Sequence, residues 1–217
     1  MPRVCLFDLD GTLVDSREPI LTALNAALAD HAFAPIREQD LSDHVGPPLR
    51  DSLTVLLEER HQDVDLVVPL IESFRSHYVV TSIEMARAYA GIPGLLQDLH
   101  LTARLGVVTS KPALYARPIL ETLGFAGLME VIEGPNLEEI EPKPETLARA
   151  LRLLDHGTGG KQFVLIGDRH HDIAAARING IGSIGVTWGF GTLEELTDAG
   201  ADHIVSSPAE LAKILSG

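Results

Sequence analysis

From residue 102 to the end of the chain, strand-like runs and helix-like stretches take turns, and few folds accept that rhythm. Residues 105–108, 129–132, 163–166, 183–186 and 203–205 read as strands. Helical spacing fills the gaps at 114–123, 146–154, 172–179 and 194–199, and a last helix is expected over 209–215. Strands that alternate with helices run parallel, because the crossover helix carries the chain back to the same edge of the sheet. Gly124 and Gly180 stand where helices should stop. The expected class is α/β, with a doubly wound, Rossmann-like parallel sheet at its core.

One more strand begins the chain. The apolar run 4–7 ends abruptly in Asp8-Leu9-Asp10-Gly11-Thr12, which sets two acids at the carboxyl edge of the sheet, where such folds place their ligands. Carboxylates that close repel one another unless a cation or a shared proton sits between them. Residues 16–83 differ in character. Ile20, Leu24, Ala27 and Leu28 recur at helical spacing behind a Ser16 cap. So do Leu53, Leu56 and Leu57, and then Val67, Leu70, Ile71, Phe74 and Tyr78. A core of residues 1–15 and 84–217 is therefore expected, with a small all-helical domain at 16–83 and a linker ending near Gly91-Ile92-Pro93-Gly94.

Charge narrows the partners. A net charge of −14 over 217 residues argues against nucleic acid and anionic membranes. No apolar run approaches a membrane span and no signal-peptide pattern opens the chain. Cys5 is the only cysteine, which suits a reducing cytoplasm, and its place in an apolar strand reads as a small buried hydrophobe. An anionic ligand would need local positive charge, and only four lysines exist: Lys111, Lys143, Lys161 and Lys213.

The run Asp8-Leu9-Asp10-Gly11-Thr12-Leu13-Val14-Asp15-Ser16 resembles the first motif of the haloacid dehalogenase superfamily, most of whose members are phosphatases. Further motifs follow in the family's order. Val107-Val108-Thr109-Ser110-Lys111 resembles the second, in which a hydroxyl and the next backbone N–H hold a phosphate oxygen; a helix N-cap at Thr109 or Ser110 is the competing reading, and a helix N-terminus is itself an anion site. Ile166-Gly167-Asp168-Arg169-His170-His171-Asp172 resembles the fourth, and its oxygen-rich surroundings favour Mg²⁺ over a zinc site at His170 and His171. The lysine motif is shifted. Matching Pro142 and Pro144 to the common pattern puts Glu141 where lysine belongs, whereas Lys143-Pro144-Glu145 resembles a nucleotidase-like branch. Lys213 falls in the terminal helix and Lys161 precedes a strand, so Lys143 is chosen, with Lys111 in reserve.

The resemblance implies a Mg²⁺-dependent phosphatase acting on a small-molecule phosphomonoester through an aspartyl-phosphate. It makes Asp8 the nucleophile and Asp10 the acid–base, with Lys143 beside the phosphate. Asp8, the Asp10 main-chain carbonyl and Asp168 would hold the metal, with Asp172 steadying a bound water. Thr109, Ser110 and Lys111 would meet the phosphate, and Arg50 in the helical cap the leaving group; the competing reading of Arg50 is a solvated helix charge. The tail from Gly185 to Thr192, with Trp188 as packing, is similar to the phosphoglycolate phosphatase and nucleotidase branch. Alternatives from the same motifs are a 5'-nucleotidase and a sugar phosphomutase resembling β-phosphoglucomutase; a non-catalytic binding protein on this fold is the reading from another class.

Overall fold

Strands that are apolar on both faces need cover on both sides, and β1 (Val4–Phe7) is buried at every position. The computed structural model describes residues 4–44, 49–136, 141–154 and 163–216. Within it, β1 lies at the centre of a six-stranded sheet with β2 (Arg104–Val108), β3 (Val131–Glu133), β4 (Phe163–Gly167), β5 (Gly182–Val186) and β6 (His203–Val205). The order is β3-β2-β1-β4-β5-β6 and every pairing is parallel. The chain runs outward from β1 to β2 and β3, then returns to β4 on the other side. That reversal opens a crevice at the carboxyl ends of β1, β2 and β4.

Two helices close one face of this sheet. α6 (Lys143–Leu154) and α7 (His170–Ile178) pack Leu147, Ala150, Leu154, Ala175 and Ala176 against Val4, Leu6, Val108 and Leu165. Each large aliphatic side chain buried this way contributes roughly 1.5–3 kcal/mol. α5 (Ala113–Thr122), α8 (Leu193–Asp198) and α9 (Pro208–Ser216) complete the helices expected from the pattern. Gly124 and Gly180 adopt φ of +74° and +66°, the left-handed turn that ends a helix.

Within the sheet and its helices, the structure departs from the sequence expectation ahead of β2, at β3 and at α6. A helix α4 (Ile92–His100) begins where the linker was expected to end and fills a stretch given no element, started by Gly91 at φ +89° with Pro93 in its first turn. A single 3₁₀ turn at Ala126–Leu128 delays β3 to Val131. α6 begins at Lys143 rather than 146, because Pro144 in a first turn lacks only an N–H that has no helical partner there.

The chain divides into two compact units, Met1–Asp15 with Arg87–Gly217, and Ser16–Ala86. The second unit is helical, built from α1 (Arg17–Asp30), α2 (Leu49–Glu59) and α3 (Val67–Glu84). Ala23, Leu24, Ala27 and Leu28 of α1 are buried, as are Leu70, Ile71, Phe74 and Tyr78 of α3, where the last two rings stack at 5.1 Å. Ser16 does not cap α1 with its side chain, which is buried without a hydrogen-bond partner. In the first unit the two points where the chain leaves and returns are paired: Asp15 N–H donates to Arg87 O at 2.9 Å and Val14 bridges Ala88.

Candidate active site

Three neighbouring strands end in the polar residues of the crevice. Asp8 follows β1, and its N–H extends the ladder to Ile166 O at 2.8 Å. Thr109 follows β2, with its N–H bonded to Glu133 O at 3.0 Å, and Asp168 follows β4. All three side chains are buried. Gly11 turns the chain at φ +82°, and a Cβ there would overlap the Asp168 carboxylate. The next residue uses that close approach: Thr12 Oγ1 donates to Asp168 Oδ1 at 3.2 Å. Phe190 N–H donates to the other oxygen, Oδ2, at 2.8 Å. Trp188 Nε1 donates to Thr12 O at 3.0 Å, so the segment after β5 is tied to the segment after β1.

Lysine meets this acidic cluster from α6. Lys143 Nζ lies 2.7 Å from Asp8 Oδ1 and also pairs with Asp172 Oδ1. Asp172 sits in the first turn of α7, where its Oδ2 accepts from Arg169 N–H at 3.0 Å. A second ion pair forms alongside: Lys111 Nζ lies 2.7 Å from Asp10 Oδ1, and Lys111 N–H donates to Thr109 Oγ1 at 3.2 Å.

These groups perturb one another strongly. Burial raises the Asp8 carboxyl to about 6, with Lys143 pulling down and Asp172 pushing up. Burial also raises Asp168 to about 8, helped by the charges of Asp172 and Asp8. Burial works against the Lys143 ammonium, but Asp172 and Asp8 outweigh it and hold its pKa above the ordinary lysine range. Oxygens of Asp8, Asp168 and Asp172 all come within 4.8 Å of one another, and one ammonium, that of Lys143, pairs with two of the three. Three buried carboxylates and a single lysine leave negative charge unmatched, and an all-oxygen donor set of this kind fits a hard divalent cation.

A family model described as haloacid dehalogenase-like hydrolase matches residues 5–186. The chain belongs to that family. Among curated relatives, a 5'-nucleotidase of Pseudomonas aeruginosa is 36% identical, over 97% of this chain and 94% of its own. A phosphoglycolate phosphatase of Colwellia psychrerythraea is 33% identical, over 91% of this chain and 90% of its own. The tyrosine-protein kinase PtkA of Mycobacterium tuberculosis is 37% identical over 88% of this chain, which spans only 64% of it. Among solved structures, a predicted phosphatase from Clostridium acetobutylicum superposes with a TM-score of 0.88 at 33% identity, covering 100% of this chain and 99% of that one.

In this haloacid dehalogenase-like hydrolase, Asp8, Asp168, Asp172 and Lys143 come together, and Asp10, Thr109 and Lys111 lie beside them. Ser110 is exposed. Arg50 stands on α2 in the helical unit, exposed, its carbonyl accepting from Thr54 Oγ1 at 2.8 Å. Lys161 lies outside the described residues. His170 turns away from the carboxylates to Glu195, whose Oε1 takes its ring nitrogen at 2.6 Å, its N–H at 2.9 Å and Arg169 Nε at 2.9 Å. Sequence reasoning missed Thr12 and Phe190 as partners of Asp168. The glycines at 189 and 191, where a Cβ would strike Asp168, were the available signal. It also missed Arg149, whose partners are scattered along the chain.

Proposed function

We propose that this hydrolase is a Mg²⁺-dependent phosphatase of small phosphomonoesters, phosphoglycolate-like in substrate, working through an aspartyl-phosphate. The observation that carries the reading is Asp8 at the end of β1, ion-paired at 2.7 Å to Lys143 inside a buried carboxylate cluster. A bound Mg²⁺ would supply charge neutralisation at nucleophile and phosphate, held by Asp8, the Asp10 carbonyl and Asp168, with Asp172 behind. Asp8 attacks phosphorus as the ester P–O bond breaks, and Asp10 gives its proton to the departing alkoxide. Asp10 then takes a proton from water as that water attacks phosphorus, which releases inorganic phosphate and restores Asp8. Thr109 and Lys143 hold the phosphoryl oxygens, and Lys111, paired to Asp10, steadies the acid–base. Arg50, on α2 of the helical unit, is the proposed contact for the leaving group. Cys5, single and buried, is consistent with a cytoplasmic protein, and no described helix is long and apolar enough to cross a membrane.

A panel of phosphomonoesters assayed with Mg²⁺ tests this. It should include phosphoglycolate, nucleoside monophosphates and hexose phosphates, with phosphate release and hexose isomerisation both followed. The identity to a 5'-nucleotidase makes nucleoside monophosphates the second class to screen. Phosphate release that requires Mg²⁺ and is lost in D8N supports the proposal, and inactivity across the panel would leave the fold with a non-catalytic role.

A further inference from the structure

Outside the carboxylate cluster, one side chain joins more of the site's supporting segments than any other described here. Arg149 projects from α6, the helix that carries Lys143. Its Nε donates to Glu133 Oε2 at 2.6 Å, its Nη2 to Gly134 O at 3.0 Å, and its Nη1 to Glu141 Oε1. Glu133 ends β3, and its carbonyl accepts the Thr109 N–H. Gly134 presses so closely on the Lys111 carbonyl that a Cβ would overlap it. Glu141 stands two residues before Lys143.

We infer that Arg149 is a positioning residue that braces the Lys143-bearing segment of the site against the exit of β3. Its guanidinium clamps the exit of β3, against which the Thr109–Lys111 segment rests, to the entry of α6, from which Lys143 reaches Asp8. A planar fork of donors suits three acceptors in different directions, which a single ammonium cannot match. The stability such a partly exposed ion pair provides is small. Its consequence lies in placement, since a shift of about 1 Å in a catalytic group costs on the order of 10²-fold in rate. Glu141, which occupies the register of the more common lysine motif, thereby becomes an anchor of Lys143 and not a dispensable acid.

The inference rests on the proposed role of Lys143, so the test is a double-mutant cycle between the two residues. R149M, K143A and the double variant are assayed on para-nitrophenyl phosphate with saturating Mg²⁺, alongside thermal melting. R149M should lower kcat/KM by about 10- to 100-fold, mainly in kcat, and in the K143A background it should cost less than about twofold. R149K should recover only part of the loss. Losses that multiply instead, or R149M within about twofold of wild type, would overturn the bracing role. Should R149M not fold, E141L removes one arm of the clamp, and a loss in the wild type but not in K143A is expected; an equal loss in both, or none in either, overturns it. A harmless K143A would instead remove the role of Lys143 on which the inference stands.

Discussion

Lys143 holds Asp8 and Asp172 at once, and no other lysine among the described residues is paired with Asp8. K143A should therefore cost on the order of 10²–10³-fold in kcat/KM, as the loss of a preorganised charge donor does. Steady-state assay on an aryl phosphate checks it, and K111A is the control: inactivation by K111A with a harmless K143A would move the phosphate contact to Lys111. D8N keeps the shape of the side chain and removes the attacking charge, so turnover should fall by several orders of magnitude. Retained turnover in D8N would end the covalent mechanism. At this scale Asp8 and Asp168 were legible because each follows an apolar strand, and a strand fixes where its last residue points. Arg149 was not legible: Glu133, Gly134 and Glu141 are its partners only once β3 and α6 lie side by side.

The turn from β4 into α7 is held by its neighbour α8 through Glu195. Arg169 and the backbone and ring of His170 all donate to Glu195. Burial works against this carboxylate, but those donors outweigh it and hold it at about 2, below the ordinary 4.5. A depressed carboxyl stabilises the fold above its ordinary pKa, and that contribution is lost as pH falls. The melting temperature of the wild type should exceed that of E195Q at neutral pH, and the gap should narrow between pH 4.5 and 2. A gap that widens on acidification would contradict the assignment. In the same turn, a Cβ on Gly167 would overlap the Asp172 carboxylate. G167A should consequently raise the Mg²⁺ concentration needed for half-maximal activity; an unchanged Mg²⁺ titration would show that Asp172 has no part in metal binding. Elements were read from the sequence wherever a helical period or a continuous apolar run was clean. α4 escaped because Gly91, Pro93 and Gly94 carry turn chemistry, yet here they start a helix that buries Ile92, Leu95, Leu96 and Leu99.

Over the whole molecule, negative charge dominates, and its buried share gathers at one point in the crevice. Mg²⁺ bound there stabilises only the folded chain, so it should raise the melting temperature, by the equivalent of about 2.7 kcal/mol at a hundredfold excess over Kd. D168N should melt higher than wild type in chelator at neutral pH, because it removes a carboxyl that burial keeps protonated in the fold and that ionises freely once the chain unfolds, and should lose most of the Mg²⁺-induced rise. A wild type indifferent to Mg²⁺ would count against the metal site. The architecture was legible from the alternation of strands and helices and from the plain change of pattern after Asp15. Strand order was not, since the sequence does not say which neighbours β1 takes. The paired crossing at Asp15 and Arg87 has a last consequence. A chain that leaves and re-enters through one doorway treats what lies between as a cassette. Joining residue 15 to residue 87 by a few glycines would close a gap that the native hydrogen bond already spans, at little entropic cost. The inserted helices could thus be exchanged or resized while the strand ends of the first unit keep their places.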